Sequence, residues 1–279
     1  MNIATALTQA AARLPGDSAR LDAEVLLSHC LGKPRSHLFA WPERVLPADI
    51  QRAFETLIER RCSGQPIAHL TGSREFWSMP LTITPDVLIP RPETELLVET
   101  ALRRLRHPRA RVAELGTGSG AIAIALASER RDWQVIASDQ SPKALEIART
   151  NARHFALTNI EFHLGDWCAA LPAGAFDLIV SNPPYIPDND PHLLRGDLRF
   201  ERRDALVSGP DGLDDIRRIA RCARDHLKPG AWLMLEHGYN QAQAVAGLLT
   251  ALDYSAVETL DDLAGQPRLT LGQTMRAEP

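Results

Sequence analysis

The amino-acid sequence predicts an α/β protein in which a parallel sheet carries helices on both faces and follows a small helical bundle. Two observations carry this prediction. The first third of the chain spaces its apolar residues like helices, whereas the chain after Glu93 alternates short apolar runs with helical-period segments. Such alternation implies parallel strands joined by right-handed crossovers. At 279 residues, the chain is long enough for two domains.

Helical periodicity predicts the bundle over residues 1–74. Ser18 can cap a helix with one apolar face, and Gly32 supplies its stop. A second helix begins at Pro47, a residue suited to a first helical turn, and it also has one apolar stripe. Both helices need a partner for these faces, so we expect them to pack together.

The residue pattern changes from helical periodicity to a proline-rich segment after this bundle. Prolines recur up to residue 92, and residues 81–84 alternate with period two, which predicts a hairpin linker over residues 75–92. The α/β domain then occupies residues 93–279. Its predicted strands are residues 112–115, 135–137, 160–164, 176–180 and 232–235, with a final strand pair at 254–260 and 268–271.

Composition excludes several classes of protein. Hydrophobic residues make up 44% and charged residues 24%, and no apolar run approaches the roughly 18 residues of a membrane span. The net charge is −4, which argues against a protein that coats nucleic acid through phosphate contacts. The first residues lack the pattern of an export signal. We therefore expect a cytoplasmic protein with neither a membrane partner nor a stably bound nucleic acid.

Cysteine and histidine positions give no sign of a metal. The nine histidines have no ligand-like spacing. The four cysteines are far apart in the sequence, which suits reduced thiols in a cytosol; they are Cys30, Cys62, Cys168 and Cys222.

A glycine-rich loop follows the first predicted strand and opens a helix, the position at which a doubly wound sheet binds a nucleotide-like ligand. Glycine permits a tight turn and removes side chains that would keep a ligand away. The same spacing, ending in Ala121, also satisfies the dinucleotide fingerprint, so NAD and S-adenosylmethionine both stay open. The residues of this loop are Gly116, Thr117, Gly118, Ser119 and Gly120.

Acidic residues at neighbouring strand ends narrow the choice of cofactor. Asp139 ends the second strand, where a carboxylate can accept hydrogen bonds from two ribose hydroxyls. Glu114 can pair with a methionine ammonium but would repel a pyrophosphate, which favours S-adenosylmethionine. After the third strand, Asp166 can accept from an adenine amino group while Trp167 packs on the ring.

The most specific signal is the loop Asn182, Pro183, Pro184, Tyr185, which follows the fourth strand. An amide or aromatic amine nitrogen is a poor nucleophile with two N–H donors in one plane. The Asn182 side-chain carbonyl and the Pro183 backbone carbonyl can each accept one donor and aim the nitrogen at a sulfonium methyl. Consecutive prolines stiffen the loop, and Tyr185 offers an aromatic face. This pattern predicts methyl transfer to a planar nitrogen, without a catalytic histidine.

Taken together, these residues resemble the HemK/PrmC family of protein glutamine methyltransferases over nearly the whole chain. Glu114 departs from the usual Asp, and Arg202 stands where the family generally has Pro. Besides the two loops, the resemblance rests on three segments: Glu75-Phe76-Trp77, Leu88-Ile89-Pro90-Arg91-Pro92-Glu93-Thr94-Glu95 and Leu235-Glu236-His237-Gly238.

The resemblance implies a seven-stranded Rossmann-like class I methyltransferase sheet, a hairpin linker and an N-terminal domain that binds the partner. It implies methyl transfer from S-adenosylmethionine to the glutamine N5 of the Gly-Gly-Gln motif in class 1 peptide chain release factors. This methylation tunes translation termination. The enzyme is expected to act as a monomer. The implied substrate site is Asn182, Pro183, Pro184 and Tyr185. The expected cofactor site comprises Glu114, Gly116, Thr117, Gly118, Ser119, Gly120, Asp139, Asp166, Trp167 and Asn182, with S-adenosylhomocysteine as product.

Three alternatives to this function stay open. Methylation of an exocyclic amine of adenine or guanine has the same geometry, but the base must be flipped out and a basic surface would help. A nicotinamide dehydrogenase fits the glycine loop, although no proton-relay residue is evident. A binding module without turnover would hold the cofactor alone. Arg91, Glu93 and His237 can line the site, but exposed linker charges and a strand-end histidine are the simpler interpretation.

Overall fold

The computed structural model describes residues 1–275 and contains two compact units. One unit comprises Met1–Ser73 together with His192–Phe200; the other comprises Arg74–Pro191 and the chain from Glu201 onward. The sequence predicts a helical bundle that ends at residue 74 and does not indicate the second segment. That segment is only nine residues long, too short to show a periodic pattern of its own.

The first unit is helical and has its own core. Leu7, Leu27 and Ile58 are fully buried in one cluster, as the apolar stripes predict. The two shortest helices were not predicted, because five or six residues are too few to reveal a helical repeat. The helices are α1 (Ile3–Arg13), α2 (Ala19–Leu31), α3 (Arg35–Ala40), α4 (Ala48–Cys62) and α5 (Ile67–Thr71).

A guanidinium group holds the distant segment to this unit. Arg61, near the end of α4, donates from Nε to Asp22 Oδ2 at 2.8 Å and from Nη1 to Asp197 Oδ1 at 3.0 Å. The Arg61 side chain is only 15% exposed, so these bonds are partly shielded from water. Arg61 therefore links α2 with a residue 136 positions further along the chain.

A two-stranded ribbon, β1 (Ser73–Phe76) and β2 (Met79–Thr82), follows the helices and lies, apart from Ser73, at the start of the second unit. Its two turn residues, Trp77 and Ser78, both have positive φ, at 52° and 57°, as a tight hairpin turn requires. A main sheet follows, formed by β3 (Arg111–Leu115), β4 (Gln134–Asp139), β5 (Ile160–Leu164), β6 (Phe176–Ser181), β7 (Leu227–Glu236), β8 (Ser255–Asp261) and β9 (Pro267–Gln273).

The order of this seven-stranded sheet, in the described part of the chain, is β5-β4-β3-β6-β7-β9-β8. The first five strands in that order are parallel, and β9 pairs antiparallel with both β7 and β8. The predicted seven-stranded, mostly parallel sheet with an N-terminal helical region is thereby confirmed.

The register aligns the carboxyl ends of four parallel strands. Leu115 lies opposite Ser138 on one side and Ser181 on the other, and Ser181 lies opposite Leu235. Each of these four residues is followed by a residue at the same edge of the sheet. Those followers are Asp139, Gly116, Asn182 and Glu236.

Helices cover the sheet, and a short 3-10 helix, Pro92–Thr94, leads into the first of them. In the centre, α7 is buried from Ala121 through Ala127, which explains why its sequence is apolar all round. Within residues 1–275, no helix combines the length and apolar character needed to cross a membrane. The helices are α6 (Glu95–Arg104), α7 (Ala121–Glu129), α8 (Pro142–His154), α9 (Asp214–Cys222) and α10 (Ala242–Ala251).

A disulfide joins Cys168, after β5, to Cys222 at the end of α9. The prediction of four reduced thiols is wrong for this pair. The pair could not be predicted from the sequence, because the two residues are 54 positions apart. Only the fold brings their Cα atoms within 6.0 Å of each other. Cys30 and Cys62 are free thiols, as predicted.

This cross-link closes a loop of 54 residues, which is worth about 4 kcal/mol in the chain-entropy model. We expect Cys222→Ala to lower the free energy of unfolding by about 2–4 kcal/mol under oxidising conditions, measured by urea unfolding. The exposed free thiol offers a control, since Cys62→Ala should leave this free energy nearly unchanged. A wild-type protein equally stable with and without reductant would contradict the expectation.

Candidate functional site

A cavity opens at the carboxyl ends of the central strands, within the second unit. Gly116 and Gly118 line it after β3, Asp139 at the end of β4, and Asn182 with Pro184 after β6. The aligned strand ends thus bring the two predicted loops and the predicted acidic residue to one cavity. This edge of an open α/β sheet is where such folds bind ligands.

The backbone of the glycine loop is folded tightly against β4. Gly116 N and Thr117 N both donate to Ser138 O, at 2.9 and 2.8 Å. At Gly116, φ is 75° and a Cβ atom would lie 3.1 Å from the Trp167 ring. At Gly120, φ is 86° and a Cβ would crowd the Ala148 Cβ at 3.1 Å. Glycine is therefore required at both positions for the turn and for the close packing.

Asp139 is held at the mouth of this loop by backbone donors. Its Oδ2 accepts from Gly118 N at 2.9 Å, and its Oδ1 accepts from Ser141 N at 2.9 Å. Burial raises the pKa of Asp139, while these two bonds and the nearby Arg202 act in the opposite direction. Each carboxylate oxygen can accept a further hydrogen bond, so Asp139 can still bind hydroxyl groups in the cavity.

Glu114 lies beneath the loop rather than facing the cavity. Its Oε2 accepts from Thr117 Oγ1 at 2.6 Å and from Ala123 N at 2.9 Å, and the residue is 1% exposed. Burial raises its pKa to about 8. Among the described residues, Glu114 does not line the cavity, so its predicted contact with a methionine ammonium has no support in these hydrogen bonds. The observed contacts instead hold the glycine loop against the start of α7.

Trp167 forms one wall of the cavity and is fixed by its indole nitrogen. Its Nε1 donates to Asp215 Oδ1 at 3.1 Å, and Asp215 Oδ2 accepts from Ser208 Oγ at 2.8 Å. Asp166 also lines the cavity, where its carboxylate pairs with Arg218. Both residues therefore line the cavity, and their contact with an adenine ring stays a prediction; the Asp166 carboxylate already has a cationic partner.

The loop after β6 presents two of its four predicted residues to the cavity. Asn182 and Pro184 line it, whereas Pro183 and Tyr185 do not. Ser181 Oγ donates to Leu115 O at 2.7 Å and ties the start of this loop to the end of β3. Asn182 Nδ2 donates to Thr94 Oγ1 at 3.1 Å.

Tyr185 is directed away from the cavity, towards β7. Its hydroxyl donates to Glu236 Oε1 at 3.4 Å, and its backbone oxygen accepts from Gln241 Nε2 at 2.9 Å. Burial raises the pKa of Tyr185 above its ordinary value, and the neighbouring Glu236 adds to this shift. The predicted aromatic face for the substrate therefore remains a prediction, while the observed contacts hold the loop in place.

Four further residues of this site were not predicted: Thr94, Arg202, Asp215 and Glu236. Thr94 and Glu236 stand inside the segments that carry the family resemblance, but nothing in the sequence shows that either is next to the loop at Asn182. Arg202 was visible as a departure from the family pattern, and it lines the cavity near Asp139. Asp215 follows a loop with no distinctive pattern, and it gave no signal.

Two of the three residues left without a role, Arg91 and His237, have structural partners. Arg91 pairs with Glu201, which also accepts from Ile89 N at 3.1 Å. His237 is fully buried, and its Nε2 lies 2.8 Å from Thr270 Oγ1. Burial lowers the pKa of His237. Within residues 1–275, no group of three or more His, Cys, Asp or Glu side chains is arranged to hold a metal ion.

Comparisons with known proteins agree with this architecture. Residues 5–72 match the family model described as PrmC N-terminal domain, and residues 92–194 match the model described as Methyltransferase small domain. A methyltransferase from Pyrococcus furiosus has a similar fold, with a TM-score of 0.55 and 19% identity over 78% of this chain and 97% of that one. The sheet and its cavity thus define a methyltransferase of the Rossmann-like class.

Comparison of the sequence with those of known proteins identifies a more specific family than comparison of the fold. The release factor glutamine methyltransferase of Pseudomonas aeruginosa is 52% identical over 256 residues, which cover 92% of this chain and 93% of the relative. The enzyme of that description from Escherichia coli K12 is 48% identical over 257 residues, with the same coverage. The chain belongs to the release factor glutamine methyltransferase family, and the predicted resemblance is confirmed.

The buried Glu114 makes stability depend on pH. Its folded pKa, about 8, lies above its ordinary value of 4.5, so its contribution to stability is fully present below pH 4.5 and is lost as the pH rises towards 8. The slope is at most about 1.4 kcal/mol per pH unit. Glu114→Gln imitates the protonated form, so the variant should lose less stability than the wild type between pH 5 and pH 8, measured by urea unfolding.

Exposed Glu146→Gln, on α8, serves as the control for the loss of one carboxylate at the surface, and it should follow the wild type at both pH values. Parallel pH profiles for the wild type and Glu114→Gln would show that Glu114 is ionised in the folded protein.

Proposed function

We propose that this protein transfers a methyl group from S-adenosylmethionine to the side-chain N5 of the glutamine in the Gly-Gly-Gln motif of class 1 peptide chain release factors, and so tunes translation termination. The observation that carries the proposal is the position of Asn182. Its amide lines the same cavity as Asp139 and the glycine loop, with Nδ2 already bonded to Thr94. The relatives from Pseudomonas aeruginosa and Escherichia coli are named for this class of reaction.

The residues of the cavity fit the proposed cofactor. Asp139 can accept the ribose hydroxyls, and Gly116 and Gly118 leave the backbone accessible beside it. The ring of Trp167 is held by Asp215 and offers a surface for the adenine. S-adenosylmethionine supplies an electrophilic methyl group on a sulfonium centre. The Glu114 carboxyl, bonded beneath the loop, belongs to the support of this site.

The loop after β6 is proposed to orient the substrate amide for the reaction. The Asn182 Oδ1 and the Pro183 carbonyl are the proposed acceptors for the two N–H groups of the substrate amide, so that its lone pair points at the methyl carbon. Pro183 and Pro184 lack N–H groups that would compete for these acceptors. The methylated nitrogen is acidic enough to lose its proton to water or to a nearby carbonyl, and a strong base is not needed.

The helical unit is proposed to bind the release factor, with residues 1–74 as a partner-binding domain, 75–92 as a linker and 93–279 as the catalytic domain. Three large apolar residues near α3 support this proposal: Phe39, Trp41 and Val45 are 60%, 53% and 69% exposed. Exposed apolar groups of this kind mark protein interaction sites when they cluster. We further propose that the protein acts as a cytoplasmic monomer.

Cofactor binding provides the first test. Asp139→Asn replaces one acceptor oxygen by an NH2 group facing a backbone donor, either Gly118 N or Ser141 N. The loss of charge-assisted hydrogen bonds should weaken S-adenosylmethionine binding about 10- to 100-fold in calorimetry. Asp132→Asn, at an exposed position before β4, should bind like the wild type. An Asp139→Asn variant within twofold of the wild-type affinity would remove Asp139 from the cofactor site, and binding of NAD instead of S-adenosylmethionine would reject the proposed cofactor.

Turnover provides the second test. We expect the purified protein to add one methyl group to the Gly-Gly-Gln peptide of a release factor, identified by mass spectrometry after proteolysis. Asn182→Ala should abolish the transfer yet keep cofactor affinity within a few-fold, because it removes an acceptor for the substrate. The exposed Asn240→Ala is the matched control and should remain active.

The same experiment separates the alternatives. Incubation with labelled cofactor and nucleic acid tests methylation of a base, and label in nucleic acid but never in release factor would reject the proposed substrate. Full activity of Asn182→Ala would overturn the role of the asparagine, whatever the substrate.

A further inference from the structure

The side-chain amide of Asn182 has a partner whose own position is unusual. Thr94 is the N-cap residue of α6, a position where a threonine hydroxyl commonly accepts a hydrogen bond from the helix backbone. Here the Thr94 side chain makes no such bond, and its Oγ1 instead accepts from Asn182 Nδ2 at 3.1 Å. Thr94 is 4% exposed, so water has little access to its hydroxyl group. The Thr94 hydroxyl therefore binds Asn182, in the loop after β6, instead of capping α6.

A hydroxyl group alone cannot decide which end of an amide it meets. Threonine can donate to a carbonyl oxygen or accept from an NH2 group, so the orientation of Asn182 depends on where the Thr94 proton points. If that proton pointed at Asn182, the amide would present its Oδ1 to Thr94 and its NH2 to the cavity. An NH2 group there could not accept from a substrate amide.

A buried carboxyl group resolves this choice. Glu236, the last residue of β7, follows Leu235, which pairs with Ser181 beside Asn182. Glu236 is 1% exposed, and its Oε2 has no hydrogen-bond partner among the described residues. The nearby Thr94 hydroxyl lowers the pKa of Glu236, as a hydroxyl that donates towards a carboxylate does. An ionised carboxylate only accepts, so the Thr94 proton is directed to Glu236 and a Thr94 lone pair remains for Asn182 Nδ2.

We propose that Thr94 and Glu236 are positioning residues, which turn the Asn182 NH2 group into the protein and leave its Oδ1 as the acceptor for the substrate nitrogen. This inference rests on the proposed function of the loop. Neither residue touches the reacting atoms. Each acts through Asn182.

The surroundings of Glu236 let pH test the relay. Burial, with a smaller contribution from Glu93, raises its pKa to about 7, while Thr94, Arg268 and the Tyr185 hydroxyl favour the ionised form. His237 follows in the chain and is held by Thr270 and Gly238, with a lowered pKa. Because the relay needs ionised Glu236, kcat should rise as the pH increases through about 7.

Paired substitutions at Thr94 test the hydroxyl. Thr94→Val has nearly the same shape without a hydroxyl, and it should lower kcat about 10- to 100-fold while leaving S-adenosylmethionine affinity unchanged. Thr94→Ser restores the hydroxyl and should recover most of the rate. Wild-type kcat in Thr94→Val, or a rate as low in Thr94→Ser as in Thr94→Val, would overturn the role of Thr94.

A substitution at Glu236 tests the direction of the relay. Glu236→Gln keeps the size of the side chain but can donate to Thr94, so it should lower kcat and remove the rise through pH 7 that the wild type shows. Thermal unfolding of each variant reports whether it is folded. A Glu236→Gln enzyme that keeps the wild-type rate and pH profile would overturn the proposal.

The NMR signal of the Asn182 side-chain NH2 group gives a readout that needs no substrate. In 15N-labelled protein, this signal, assigned by its loss in Asn182→Ala, should exchange slowly with water in the wild type and faster in Thr94→Val and Glu236→Gln. Unchanged exchange in both variants would refute the relay. If the wild type methylates nucleic acid instead of release factor, the proposed substrate fails, while this measurement still decides the positioning role.

Discussion

The parallel register of β3 with both of its neighbours is the constraint on which the site depends. Leu115 lies opposite Ser138 and Ser181, so the chain leaves all three strands at one level. The next residues are Gly116, Asp139 and Asn182. Because a slip of one residue turns every side chain of a strand to the other face, the burial of these strands protects this alignment. The glycine loop after β3 and the loop after β6 therefore lie side by side because of the strand register alone.

The site is supported by carboxyl groups that are themselves costly to bury. Glu114 holds Thr117 and Ala123, and Glu236 accepts from Tyr185. Both have raised pKa values because burial disfavours the charged form, and Glu236 Oε2 has no partner within the described residues. Neither group needs to touch a ligand for its position to matter. Each fixes a loop whose shape decides what the cavity can bind.

Local patterns made most of the fold and both loops predictable. The alternation of strands and helices, the glycine spacing and the Asn-Pro-Pro-Tyr loop are all legible within short windows of sequence. What could not be predicted joins distant residues: Asn182 meets Thr94 across 88 positions, and Cys168 meets Cys222 across 54. Glu114 shows a second limit, since a strand end can be located from sequence while the direction of its side chain depends on what packs beneath the loop.

The two buried carboxyls have the same effect on stability as the pH rises, but only one of them acts on the loop at Asn182. Burial raises the pKa of Glu236 to about 7 and that of Glu114 to about 8, both above the ordinary 4.5 of a glutamate. The fold therefore loses stability as the pH rises from 4.5 towards each raised pKa. For Glu236, the same ionisation directs the Thr94 proton away from Asn182 and sets the acceptor that the proposed reaction requires. For Glu114, ionisation adds a buried charge near Asp139 and has no such use.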